Sequence, residues 1–184
     1  MIYTSIFGNI DPPRIDVLCL GTSNRMNAKV YKVLSHLFTP PEPTLWVDGN
    51  IFPLIAEGEI LSKMLCDADL ALFRHPFRKN PLEEARELVV TKSECSGLFR
   101  FVEYYGEAYL SALPLYECGI LARRPTEATR RFNEIWWNLI SKWSVRDQVT
   151  CPIAIAESRI KINVIECDLR KHRMFRYENH QKNG

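Results

Sequence analysis

Short runs rich in Val, Ile, Leu and aromatic residues alternate with amphipathic stretches along the whole chain, and this alternation leaves few folds open. The runs "MIYTSIFGN", "IDVLCLG", "TLWVDGN", "ADLALFRHP", "LYECGILARR" and "RIKINVIECD" have the composition of strands. Between them, "NAKVYKVLSHLF" sets Val30, Val33, Leu34 and Leu37 at helical spacing, and "GEILSKMLCD" reads as a second helix. "PLEEARELVVTKS" opens on Pro81 at a first helical position, with Glu83 and Glu84 in the first turn. "GLFRFVEYYGEAYLSAL" reads as one amphipathic helix, and "RDQVTCPIAIAES" begins a short one. "TEATRRFNEIWWNLISKWS" is a patterned helix with Thr126 as N-cap, Trp136 and Trp143 on its buried stripe and Trp137 off it. The pattern predicts an α/β fold with a mostly parallel central sheet and helices on both faces. With no internal repeat and no linker, it forms one domain over 1–168, followed by a basic polar tail over 169–184.

Composition narrows the function. The chain is 46% hydrophobic and 25% charged, and its 24 basic and 22 acidic residues leave a net charge of +2. Arg and Lys are scattered rather than striped with aromatics, which excludes nucleic acid as the expected partner. The six cysteines form no C-x-x-C pair, carry no zinc-module spacing and mostly lie in apolar segments, so they read as reduced and structural. Reduced thiols point to a cytoplasmic protein. No basic n-region precedes the first apolar run, and no run approaches the length of a membrane span. The tail carries Arg170, Lys171, Arg173, Arg176 and Lys182 against Glu178 alone. It reads as a solvated end or as a weak tether to anionic lipid at the inner membrane face.

In open α/β sheets the ligand site lies beyond the carboxyl ends of the strands. Gly8, Asp48, His75 and Arg123 each follow a strand-like run, so all four are expected at one crevice. Asp48 in "TLWVDGNI" is either a turn residue or a ligand for a hard divalent cation, Mg²⁺ or Mn²⁺, with an amide side chain two residues on. The loop "FRHPFRKN" crowds Arg74, His75, Arg78 and Lys79, which either hold an anion or form a solvated loop balanced by Glu83 and Glu84. Asp147 in "SVRDQ" stands near a helix N-terminus capped by Ser144, or serves as a general base. Glu117 is an acid inside an apolar run, with Arg123 or Arg124 as the expected partner.

Six blocks in order, "IYTSIFGNID", "KVYKVLSHLF", "TLWVDGNI", "FRHPFRKNPLEEA", "ECGILARR" and "WWNLISKWSVRDQVT", resemble a glycosyltransferase-like family. That family, once a domain of unknown function, occurs in plant proteins linked to mucilage and cell-wall polysaccharide and in many bacterial proteins. The resemblance runs from about Ile2 to about Glu157. It implies a GT-A-like, Rossmann-like nucleotide-sugar-binding fold and a metal-dependent hexosyltransferase. The donor is then a UDP- or GDP-hexose and the acceptor a glycan or lipid-linked precursor. Asp48 takes the place of the metal-binding acid, with Asn50 where many such enzymes carry a second Asp. On the donor side the resemblance sets Phe7, Gly8, Lys29, Lys32, His36, Asn50, Arg146 and Gln148. On the acceptor side it sets Glu83, Glu84, Glu117 and Arg123, with Asp147 as base and His75 and Arg78 positioning the acceptor. A hydrolase on the same carboxylates and a non-catalytic sugar-nucleotide binder are the rival readings.

Overall fold

Strand-forming runs that are apolar on both faces must be covered on both faces, and this requirement builds the molecule. The computed structural model describes residues 1–3, 24–92, 95–143 and 146–178. Its main sheet contains β1 (Ile2–Tyr3), β2 (Thr44–Val47), β5 (Tyr116–Arg123), β4 (Leu70–Arg74) and β6 (Ile162–Ile165), in that spatial order. β1 is parallel to β2, β4 is parallel to β6, and β5 runs antiparallel to both of its neighbours. Four of the five strands therefore share one direction, and the reversed one lies in the middle. The α/β class and mostly parallel sheet hold.

One face is covered by α1 (Asn24–Val33), α3 (Pro81–Lys92), α4 (Cys95–Tyr105), α5 (Glu107–Ala112), α6 (Glu127–Lys142) and α7 (Asp147–Ser158), around Leu72, Phe101, Phe132 and Trp136. The other face is covered by α2 (Glu57–Leu65) and a small antiparallel sheet of β3 (Ile51–Pro53) with β7 (Phe175–Tyr177). Trp136 is fully buried, and its indole Nε1 donates to Thr150 Oγ1 at 3.1 Å, which ties α6 to α7. Thr126 caps α6 by accepting from Thr129 N at 3.2 Å. Among the described residues, no helix is long and apolar enough to cross a membrane.

Several expectations are corrected. The single helix over "GLFRFVEYYGEAYLSAL" is two, because Gly106 adopts φ 79°, a left-handed conformation that glycine tolerates and that ends α4. Trp143 is half-buried at the end of α6, 5.0 Å from the Tyr104 ring, rather than in the core. The tail is folded through Glu178: Leu169, Met174 and Phe175 are buried, and β7 pairs with β3. Its boundary at 168 therefore falls inside the domain. Arg170 turns inward to Glu117, while Arg176, still exposed, pairs with Glu178 and lies over Phe52. Phe7, Gly8, the run "IDVLCLG" and Ser144 lie outside the described residues.

Candidate functional site

Because β5 is reversed, its first residues reach the carboxyl edge of the sheet and its last residue lies at the opposite edge, where Arg123 faces Thr44. Arg123 is buried there, donating Nη1 to Lys32 O at 2.9 Å and to Ser35 Oγ at 3.3 Å, and it closes the carboxyl end of α1. It does not join the crevice. His36 stays with it, its Nδ1 lying 3.2 Å from Asn133 Nδ2, and so leaves the donor side as well.

At the carboxyl edge two charged clusters form. In the first, Lys29 and Lys32 stand three residues apart on α1 and present neighbouring side chains. Both ammoniums donate to Asp147 Oδ2 at 2.6 Å, and Lys32 also donates to Asp48 Oδ1 at 3.1 Å. Trp46 Nε1 donates to the same Asp48 oxygen at 2.8 Å. Burial opposes ionisation of Asp147, but the two ammoniums outweigh it and hold the carboxyl well below the usual carboxylate range. Burial likewise works against the charge of Lys32, and the carboxylates of Asp147 and Asp48 more than restore it. For Lys29 burial prevails, and its pKa is lowered. Asp147 is therefore an anchor for lysines. A carboxylate held ionised by two ammoniums is poorly suited to take up a proton near neutral pH. Arg146 and Gln148 flank it, both half-buried, with Arg146 at the N-cap of α7.

Of the two readings of Asp48, the turn is the one the fold displays. Ile51 N donates to Asp48 O at 2.9 Å, which closes a tight turn, while the carboxylate enters the cluster. Asp48 N donates to Gly119 O at 2.8 Å, and a Cβ at Gly119 would come within 2.9 Å of Ile51 Cδ1. Asn50 does not face Asp48's cluster as a second ligand. Its Nδ2 donates to Glu178 O at 3.0 Å, and Glu178 N donates back to Asn50 O at 2.9 Å.

The second cluster surrounds the first turn after β4. His75 is buried, and its Nδ1 accepts from Arg78 N at 2.9 Å and from Phe77 N at 3.3 Å, so it holds the loop in shape. Burial, with Arg78 and Arg170 nearby, lowers its pKa to about 4, and it is neutral at pH 7. Arg78 pairs with buried Glu84. Glu83 N donates to Asn80 Oδ1 at 2.9 Å and the Glu83 carboxylate accepts from Lys79 N at 2.8 Å, a capping box for α3. Glu83 thus leaves the acceptor side. Glu117 accepts from Arg170 Nη1 at 2.8 Å, in place of the expected Arg123 or Arg124. Its other oxygen, Oε2, is buried with no hydrogen-bond partner among the described residues. Burial raises the Glu117 pKa, only partly offset by Arg170. Arg170 lies 5.4 Å from the Phe77 ring and 5.1 Å from that of Tyr177.

The family model described as "TOD1/MUCI70, glycosyltransferase-like domain" matches residues 20–182. The chain belongs to this family. The match reaches past the tail boundary and takes in Arg170 and β7, as the fold does. Among curated proteins, this chain is 25% identical over 174 residues to the probable hexosyltransferase MUCI70 of Arabidopsis thaliana, covering 85% of this chain and 30% of that protein. It is 26% identical over 173 residues to the alkaline ceramidase TOD1 of the same plant, covering 85% of this chain and 37% of that one. The chain thus spans about a third of the length of these relatives. A solved structure, apo mouse xyloside xylosyltransferase 1, covers 77% of this chain and 51% of its own at a TM-score of 0.46 and 14% identity.

Trp46 and Arg170 are the site residues that the sequence reading missed. Trp46 stands two residues before Asp48 in an extended run, and side chains at that spacing share a face. Arg170 had a weaker signal, the apolar residues Met174, Phe175 and Tyr177 that fold the tail back.

Proposed function

We propose that this domain transfers a hexose from a nucleotide-diphosphate sugar to a hydroxyl of a glycan or lipid-linked acceptor. The observation that carries the reading is the pair of charged clusters on one edge of the sheet of a glycosyltransferase-like domain. Such an edge is where α/β sheets place ligands. In this reading the first cluster, with Lys29, Lys32, Arg146 and Gln148, faces the donor diphosphate. The second faces the acceptor, with Arg78, Glu84 and Arg170 fixing the geometry. Glu117 supplies the proton acceptor in place of Asp147, since one of its oxygens has no hydrogen-bond partner among the described residues and its proton affinity is raised by burial. Cytoplasmic residence belongs to the same proposal, supported by the free thiols of Cys66, Cys118, Cys151 and Cys167.

The test is a panel of UDP- and GDP-hexoses, read first by thermal shift and then by release of nucleoside diphosphate with mono- and oligosaccharide acceptors. A true donor raises the melting temperature by mass action. A panel without any shift or release removes the reading. One relative's name, alkaline ceramidase, favours a second: hydrolysis by the same carboxylates. Fatty acid release from a short-chain ceramide, lost in Glu117→Gln, would decide for it.

A further inference from the structure

A divalent ion at the Asp48 turn would need several oxygen ligands, one or two of them carboxylates with capacity to spare. One oxygen of each carboxylate at this turn is already held by lysine. Asp48 Oδ1 accepts from both Trp46 Nε1 and Lys32 Nζ, and Asp147 Oδ2 accepts from both lysines. Asn50, the second position of the Asp-Gly-Asn turn, is clasped to Glu178. No group of three His, Cys, Asp or Glu among the described residues could hold a metal ion. The Lys32 side chain is only 3% exposed, so its ammonium cannot swing into solvent to make room. A metal placed between these carboxylates would sit against two ammoniums in a region where charge repulsion is poorly screened. The donor set does not fit a divalent metal.

We infer that Lys32 is the resident cation between the Asp48 and Asp147 carboxylates, and that the neighbouring Lys29, rather than a divalent metal, meets the donor's diphosphate. An ammonium has three N–H donors. Lys32, buried, directs two at carboxylates, while Lys29 directs one and keeps donors for phosphate oxygens. Lys29, whose side chain is 16% exposed, is the one that an incoming ligand meets first. Asp147 is a positioning residue that aims both. The diphosphate half of this inference rests on the glycosyltransferase reading; the Lys32 half does not.

The experiment titrates the full chain with Mn²⁺, following free Mn²⁺ by electron spin resonance and the protein by thermal unfolding, and then repeats it with UDP and GDP in Mn²⁺ or EDTA. Wild type is expected to take up no Mn²⁺ and to bind its nucleotide equally in Mn²⁺ and EDTA. Lys29→Met should weaken that nucleotide by about tenfold, and Lys29→Arg should restore it. Lys32→Ala, which exposes Asp48 and Asp147 to each other, should gain Mn²⁺ binding and be stabilised by it. Uptake of Mn²⁺ by wild type that Asp48→Asn abolishes would overturn the inference. So would nucleotide binding that EDTA removes. If Lys32→Ala does not fold, the wild-type titration still decides. If neither UDP nor GDP binds under either condition, the diphosphate half falls with the glycosyltransferase reading, while the Mn²⁺ titration judges Lys32 alone.

Discussion

The two clusters at the carboxyl edge of the sheet hold charge in opposite ways. Around Asp147, two ammoniums and two carboxylates neutralise one another through bonds of 2.6 to 3.1 Å, and Lys32 is buried at the centre. Around Glu117, one oxygen is held by Arg170 and the other is buried with no hydrogen-bond partner among the described residues. The first arrangement fixes protonation states and positions. The second leaves a carboxylate whose pKa burial raises. In the proposed reaction the first cluster would clamp the donor's anion and the second would take up the proton, which sets the roles of Asp147 and Glu117 apart.

The largest effect should come from removing the segment that supports the open cluster. Truncation after Asp168 exposes the pockets of Leu169, Met174 and Phe175, all buried. Each such side chain contributes about 1.5–3 kcal/mol, so the truncated chain should unfold at far lower denaturant. A truncated protein with an unchanged midpoint would mean that the tail is an appendage after all.

Next is Asp147→Asn, which leaves Lys29 and Lys32 facing each other without their shared carboxylate. Breaking a buried ion pair from one side costs about 3–5 kcal/mol, read as a fall in melting temperature. If the variant is as stable as wild type but loses a pH-dependent limb of transfer, Asp147 is the base and the contrast between the clusters is wrong.

Glu117→Gln should keep the fold and lower kcat by about 10²-fold or more, the range of general base catalysis. Equal losses in Glu117→Gln and Asp147→Asn without change in stability would erase the distinction.

The smallest effect concerns pH and stability. The Glu117 pKa is raised in the folded state, so ionisation there opposes folding. Its penalty is present above the folded pKa and disappears as pH falls toward the unfolded value. Wild type should therefore gain stability relative to Glu117→Gln on acidification from pH 7 toward the ordinary glutamate range. Asp147 has the reverse sign: its lowered pKa contributes stability above the unfolded value, and this is lost as pH falls through the folded one. A flat difference between the two proteins across that range would remove the raised Glu117 pKa.

Periodicity made α6 and its Thr126 cap legible, together with the strand before Asp48, because each depends on local spacing. Strand direction was not legible. A fully buried run such as "LYECGILARR" has the same composition whichever way it points, and reversing it exchanges the places of Glu117 and Arg123. That one reversal explains why the residue expected in the crevice lies at the far edge while the acid before it lies inside. Asp147 was found, but its role depended on lysines 115 and 118 residues away in sequence, beyond any local pattern. The tail misled because β7 is three residues long, too short for alternation to outweigh its basic composition.

The clasp between Asn50 and Glu178 joins positions 128 residues apart, and it sets the timing of assembly. As the chain leaves the ribosome, β2 and the Asp48 turn emerge early, but β3 has no partner strand until β7 has been made. Contacts this distant in sequence form late, since the intervening chain must be gathered first. The small β3–β7 sheet beside the Asp48 turn thus forms only once the chain has been synthesised through β7, and a chain that stops short of Glu178 lacks the clasp on Asn50.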